Sequence, residues 1–138
     1  MSQENVEVVG RAIGAWNRRD LKAWLDSFHP DAELDWSRSR GPLMGVYRGH
    51  AGLRSLWDEY WTTFEAVQIE AHDFMDEGSE IVVPNTGHMR ARQDIEVVAR
   101  STFVFTLENR QITRLRMFQE HAEALETLGL SEQTPRSN

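Results

Sequence analysis

The chain contains no cysteine, which excludes disulfides, thiolate nucleophiles and cysteine metal sites. Basic residues are in deficit, 15 Lys and Arg against 22 Asp and Glu for a formal net charge of −7. The phosphate-neutralising footprint that a nucleic-acid partner needs is therefore missing. No window approaches 18 apolar residues, so no membrane span is expected. Met1-Ser2-Gln3-Glu4 has neither the basic stretch nor the apolar run of a signal peptide, and a cytoplasmic protein is expected. Metal-ligand spacings such as His-x-x-x-His or His-Glu-x-x-His do not occur, and neither does the Gly-x-Ser-x-Gly turn of serine hydrolases. Gly45, Gly49 and Gly52 match neither a phosphate loop nor a dinucleotide fingerprint. The expectation is a protein without metal or cofactor.

What is present is an ordinary globular balance: 138 residues, 40% apolar and 27% charged, sufficient for one domain with its own core. That domain is expected over residues 1–130, with 131–138 as a disordered polar tail. Val6, Val9, Ile13 and Trp16 recur at three- and four-residue steps, the mark of one helical face, with Ser2 as the candidate cap. Asp20 can cap a second helix carrying Leu21, Trp24, Leu25 and Phe28, and Pro30 is expected to stop it. Ala32–Trp36 alternates as a strand. A Gly-rich loop follows, with a short extended piece at Val46-Tyr47. Leu53, Leu56, Trp57, Tyr60 and Phe64 then predict a third helix.

After it the period changes from 3.6 to 2. Strands are predicted at Val67–Met75, Glu80–Arg92, Ile95–Leu107 and Gln111–Gln119, joined by hairpin turns at Glu77-Gly78, Gln93-Asp94 and Glu108-Asn109-Arg110. His121–Leu128 reads as a last helix, closed by Gly129 with Leu130 folding back. Three helices around one strand, followed by a long meander, give an α+β class: a cone-shaped, curved, mixed but mainly antiparallel sheet wrapped around three helices of the N-terminal half, plus a short C-terminal helix.

Asn17-Arg18-Arg19-Asp20 with Phe28-His29-Pro30-Asp31-Ala32-Glu33-Leu34, then Tyr47-Arg48-Gly49-His50-Ala51-Gly52-Leu53, then Phe103–Leu107 through Ile112–Leu115 to Ala122–Glu126 and Leu128-Gly129-Leu130, together resemble the SnoaL-like branch of the nuclear transport factor two-like superfamily. The superfamily includes ketosteroid isomerases, scytalone dehydratases, limonene epoxide hydrolases and polyketide cyclases. The resemblance covers essentially the whole chain and implies the cone fold, a pocket inside it and a homodimer through the outer sheet face. It specifies activity weakly, because one fold hosts unrelated chemistries. The isomerase constellation resembles nothing here: its base position falls on Trp36, its tyrosine near Ala12 and its oxyanion acid near Ser101. No Arg-x-Asp is expected on a strand, since Arg92-Gln93-Asp94 falls in a turn, and so the epoxide hydrolase arrangement is not matched.

Alternation assigns faces. With Gln93-Asp94 as a two-residue turn, Arg90 stands opposite Val97, His88 opposite Ala99 and Thr86 opposite Ser101, all on the side of Phe103 and Phe105. The resemblance puts Arg114, Arg116 and Phe118 inward as well. Candidate catalytic residues are then His88 as general acid/base and Arg114 and Arg116 as stabilisers of an enolate or carboxylate. Candidate ligand-binding residues are Trp36, Trp57, Tyr60, Trp61, Arg90, Ser101, Phe103 and Phe118, and a bulge at Pro84-Asn85 would change the set. Alternatives remain open for each: the tryptophans as plain core, His88 as a satisfied structural histidine, the arginines on an exposed face or in a dimer interface. The expected partner is a small hydrophobic or anionic molecule. The expected activity is a cofactor-free isomerisation, dehydration or cyclisation, the alternative being a non-catalytic binding domain or a dimeric interaction domain using Val98, Thr102, Val104 and Thr106.

Overall fold

The computed structural model describes residues 2–39 and 43–129, apart from the Ser2 side chain. The Ser2 cap, the Leu130 fold-back and the 131–138 tail lie outside the described residues. The order is α1 (Ser2–Asn17), α2 (Leu21–Asp26), β1 (Phe28–Asp35), β2 (Val46–Arg48), α3 (Gly49–Thr63), β3 (Ala66–Ala71), β4 (Met75–Asp76), β5 (Glu80–Arg90), β6 (Glu96–Glu108), β7 (Gln111–Phe118) and α4 (His121–Thr127). The strands form one curled, open sheet in the order β2-β1-β7-β6-β5-β3, with β4 beside β5. All pairs are antiparallel except β1 with β7. This is the α+β class that the periodicities anticipate and the cone that the resemblance implies.

Local chemistry accounts for the element boundaries. Arg19 takes a left-handed turn (φ 60°) after α1, and Asp20 then caps α2 by accepting the Ala23 N–H at 3.1 Å. The helix ends earlier than expected, at Asp26, and β1 runs through Pro30. The strand tolerates that proline because its register with β7 shifts between Phe28 and Glu33, where a missing N–H breaks no regular ladder. The long strand expected over Val67–Met75 is instead split into β3 and β4. The Asn17 side-chain amide covers the free edge of β3, accepting from Ile69 N–H at 2.8 Å and donating to Ile69 C=O at 2.9 Å. Such coverage blunts an edge that would otherwise invite another strand.

The β5–β6 connection sets the phase of the sheet. A two-residue turn would pair Arg90 with Val97, but Arg90 pairs with Glu96, Met89 with Val97 and His88 with Val98. The chain instead spends Ala91–Ile95 on the turn, closed by Ala91 N–H to Ile95 C=O at 2.7 Å, with Gln93 (φ 65°) and Asp94 (φ 60°) both left-handed. One extra residue inverts every side chain of β5 relative to β6. The ladder then runs from Glu80 to Arg90 without a shift, so Pro84-Asn85 forms no bulge.

The core lies between α1–α3 and the concave face. Trp16 is its hub, with ring centroids 5.0 Å from Trp57, 5.3 Å from Trp24 and 5.6 Å from both Tyr60 and Trp61. Rings of this size bury about 200 Å² each, on the order of 5 kcal/mol per tryptophan as an upper bound. A second, smaller cluster lies on the convex face, where Val82, Val104 and Phe118 pack beneath Ala124 and Leu128 at the C-terminal helix.

Candidate functional site

A cavity of about 330 Å³ opens between the helices and the concave face. Ala12, Ile13 and Trp16 of α1, Trp24 of α2 and Leu56, Tyr60 and Phe64 of α3 form one wall. Leu34, Trp36 and alternate residues of β5, β6 and β7 form the other, among them Met89, Val97, Phe103, Phe105, Leu115 and Met117. Ser39, Tyr60, Thr63, Asn85, Ser101 and Gln119 are the polar members of the described lining, and it contains no Asp, Glu, His, Lys or Arg.

Two polar pairs are built into this wall. Trp36 Nε1–H donates to the Tyr60 hydroxyl at 3.0 Å. Burial pushes the Tyr60 pKa above its ordinary value, with the Trp36 bond opposing and Tyr47 reinforcing the rise; the phenol stays neutral. Asn85 is buried on β5 directly opposite Ser101 on β6. Its Oδ1 accepts from the Ser101 hydroxyl at 3.1 Å, and its Nδ2 donates to Val83 C=O at 3.0 Å.

Of the residues expected in the pocket, Trp36, Tyr60, Ser101 and Phe103 line it. Trp57 and Trp61 are buried in the aromatic cluster behind its wall, and the Arg19 guanidinium lies 4.6 Å from the Trp61 ring centroid. The other expectations need correction. His88 and Arg90 fall on the convex face because of the longer turn: His88 is exposed and meets Glu70 Oε1 at 2.9 Å, and Arg90 meets Glu65 at 3.6 Å. Phe118 is buried under α4, on the opposite side of the sheet from the cavity.

Arg114 and Arg116 also face outward, where β1 and β5 supply the counter-charges that an apolar interior lacks. Arg114 reaches Glu33 at 3.3 Å and Asp35 at 3.9 Å, and Arg116 reaches Glu80 at 2.8 Å. Burial, with Arg114 beside it, pulls the Arg116 pKa down against the pull of Glu80. Burial works to raise the Asp35 pKa, but hydrogen bonds from Ser37 and the charges of Arg114 and Arg38 outweigh it and hold it below its ordinary value. His50 ties α3 to β1 through Phe28 C=O at 3.0 Å.

The model of the SnoaL-like domain matches residues 9–115. The chain belongs to the SnoaL-like family. Comparison of this SnoaL-like chain with the curated proteins finds no match. Among solved structures it is similar to TerC co-crystallised with polyporic acid (20% identity, 91% of this chain and 98% of that one covered, TM-score 0.76). It is also similar to an NTF2-like protein of Burkholderia xenovorans LB400 (25% identity, 86% and 90% covered, TM-score 0.70). A third is a Mycobacterium tuberculosis protein in complex with estradiol-17beta-hemisuccinate (14% identity, 86% and 95% covered, TM-score 0.74).

Asn85, Gly87, Met89, Leu115, Met117 and Gln119 line the cavity of this SnoaL-like domain and were not singled out by the sequence reading. One signal points to the β5 members: placing Arg90 opposite Glu96 matches opposite charges across the ladder, and that register carries Asn85, Gly87 and Met89 inward. No helix among the described residues is long and apolar enough to cross a membrane.

Proposed function

We propose that this SnoaL-like domain binds a small, neutral, apolar organic molecule in its cavity, with no carboxylate, imidazole or cationic side chain in the described lining. The observation that carries this is the composition of the wall: about 330 Å³ of space surrounded by aromatic and aliphatic side chains, with a few neutral polar groups and no ionisable residue except Tyr60 among the described lining. Apolar walls with a few fixed polar groups are the general pattern of small-molecule sites. General acid/base catalysis needs a titratable group within hydrogen-bond reach of the reacting proton, and the residues expected to supply it point to the other side of the sheet. No residue of the described lining would neutralise a ligand charge inside this space, where an unpaired charge costs several kcal/mol. The complexes of polyporic acid and of estradiol-17beta-hemisuccinate with proteins of this fold support an organic ligand.

The test is a matched pair of probes, fluorene and fluorene-9-carboxylate, titrated calorimetrically. The reading expects saturable binding of fluorene and at least about 100-fold weaker binding of the carboxylate. Failure of fluorene to bind, or tighter binding of the carboxylate, overturns it.

We also propose a homodimer with a narrower footprint on the convex face than the resemblance implied. Val104 and Thr102 are buried within the chain, but Val98 is 62% exposed and is flanked on the same face by Glu96 and Arg100. A two-fold axis through Val98 would set each Glu96 against the partner's Arg100. Val98→Glu is expected to give a monomer by sedimentation; an unchanged sedimentation coefficient removes this interface.

A further inference from the structure

We infer that Tyr60 recognises a carbonyl oxygen of the ligand through its hydroxyl proton, with Trp36 as the positioning residue behind it. This rests on the binding reading above and names the ligand class. A phenol has one proton to give and two lone pairs to accept with. In Tyr60 one acceptor site is taken by Trp36 Nε1–H at 3.0 Å, and among the described residues no acceptor receives the proton. An unmade donor in an apolar wall costs free energy until something accepts from it.

The pair is held in place before any ligand arrives. Trp36 is 7% exposed, its ring centroid lies 5.5 Å from that of Phe103, and its backbone N–H is fixed to Gly45 C=O at 2.7 Å. The Tyr60 ring stands edge-on to Trp16 at 5.6 Å and stacks on Phe64 at 6.2 Å. A hydroxyl that already accepts one hydrogen bond donates a stronger second one, and because burial raises its pKa the group remains a donor throughout the neutral range.

The partner group must accept and need not donate. A ligand hydroxyl would bring a proton of its own and so need a second acceptor in the wall, where Asn85 Oδ1 already accepts from Ser101 and would have to take a second bond. A carboxylate would accept well, but it brings a charge that no described lining residue neutralises. A ketone or ester carbonyl satisfies Tyr60 and leaves nothing unpaired.

The experiment compares 9-fluorenone with fluorene, which differ at the carbonyl, in the wild type, Tyr60→Phe and Trp36→Phe. The wild type should prefer fluorenone about fivefold, and the infrared carbonyl stretch of the bound ketone should fall below its value in hydrocarbon solvent. Tyr60→Phe should erase both the preference and the infrared shift while keeping fluorene affinity, which also shows that the variant is folded. Trp36→Phe should lose part of the preference, and the double variant should be no worse than Tyr60→Phe. If fluorene binds but the ketone gains nothing, or if the preference survives in Tyr60→Phe, the assignment of Tyr60 fails and the binding reading stands. If neither probe binds the wild type, both fail together.

Discussion

Along β6, Ser101, Phe103 and Phe105 look into the cavity, whereas Arg100, Thr102, Val104 and Thr106 look out. The inner set faces helices, aromatic rings and a cavity whose described lining carries no charge. The outer set belongs to a face dressed with ion pairs, Arg114 with Glu33 and Asp35, Arg116 with Glu80, and partly roofed by α4. A roof of seven residues is held by more than apolar contact: Arg38 reaches Glu123 at 3.2 Å and lies over the Phe118 ring, and His121 meets the Thr102 hydroxyl at 3.0 Å. The same strands thus carry two kinds of chemistry on alternate residues. The eye-catching charged residues belong to the side that holds the molecule together, and the quiet neutral ones to the side that can take a ligand.

This contrast can be broken most forcefully at Val104, which is fully buried beneath α4. Val104→Glu puts an unpaired carboxylate there and should cost about 4 kcal/mol or more, read as a collapse of the denaturation midpoint. A folded variant of near-native stability would mean that α4 is not docked on this face. The same substitution at Val98, on the same strand and face but exposed, should leave the chain folded and change only its association. Smallest of all is His88→Ala. Its pair with Glu70 is surface-exposed at 49% and 59% of the two side chains, where such pairs contribute little. No measurable change in melting temperature or in fluorene affinity is expected, and a lost affinity would bring His88 back to the site.

Much of the fold was legible because its signals are local. The change from a 3.6 to a 2 period after Phe64, the cap at Asp20 and the Asn109-Arg110 turn, both residues left-handed (φ 51° and 65°), are written within a few residues each. The inward phase of β6 was legible too, through Phe103 and Phe105. The phase of β5 was not, because it depends on the length of the β5–β6 turn, and an error of one residue inverts a whole strand. On β7 the expected Glu108-Asn109-Arg110 turn already sends Leu115 and Met117 inward, as observed, and only the resemblance argued for the opposite face. His88 and Arg90 were displaced by the turn length, and Arg114, Arg116 and Phe118 by carrying over the inward face that the resemblance implied. Trp57 and Trp61 illustrate a different limit. Helical spacing shows which stripe of α3 is buried, but not that only the sector of Leu56, Tyr60, Thr63 and Phe64 reaches the cavity while the tryptophans turn toward Trp16.

The crowding of indoles has an optical consequence. Trp16, Trp24, Trp57 and Trp61 lie within 5.0 to 5.8 Å of one another along their contacts, close enough for excitation absorbed by one to migrate through the set. Trp16 and Trp24 are also part of the cavity wall. Trp36 packs on Phe103, outside those ring contacts, and donates its N–H to Tyr60, the residue assigned to meet the ligand. The cavity wall therefore carries two kinds of natural chromophore, indoles packed on one another and one hydrogen-bonded to the ligand-facing phenol. Filling the cavity should perturb the color and lifetime of each differently, so that occupancy can be followed without attaching any label.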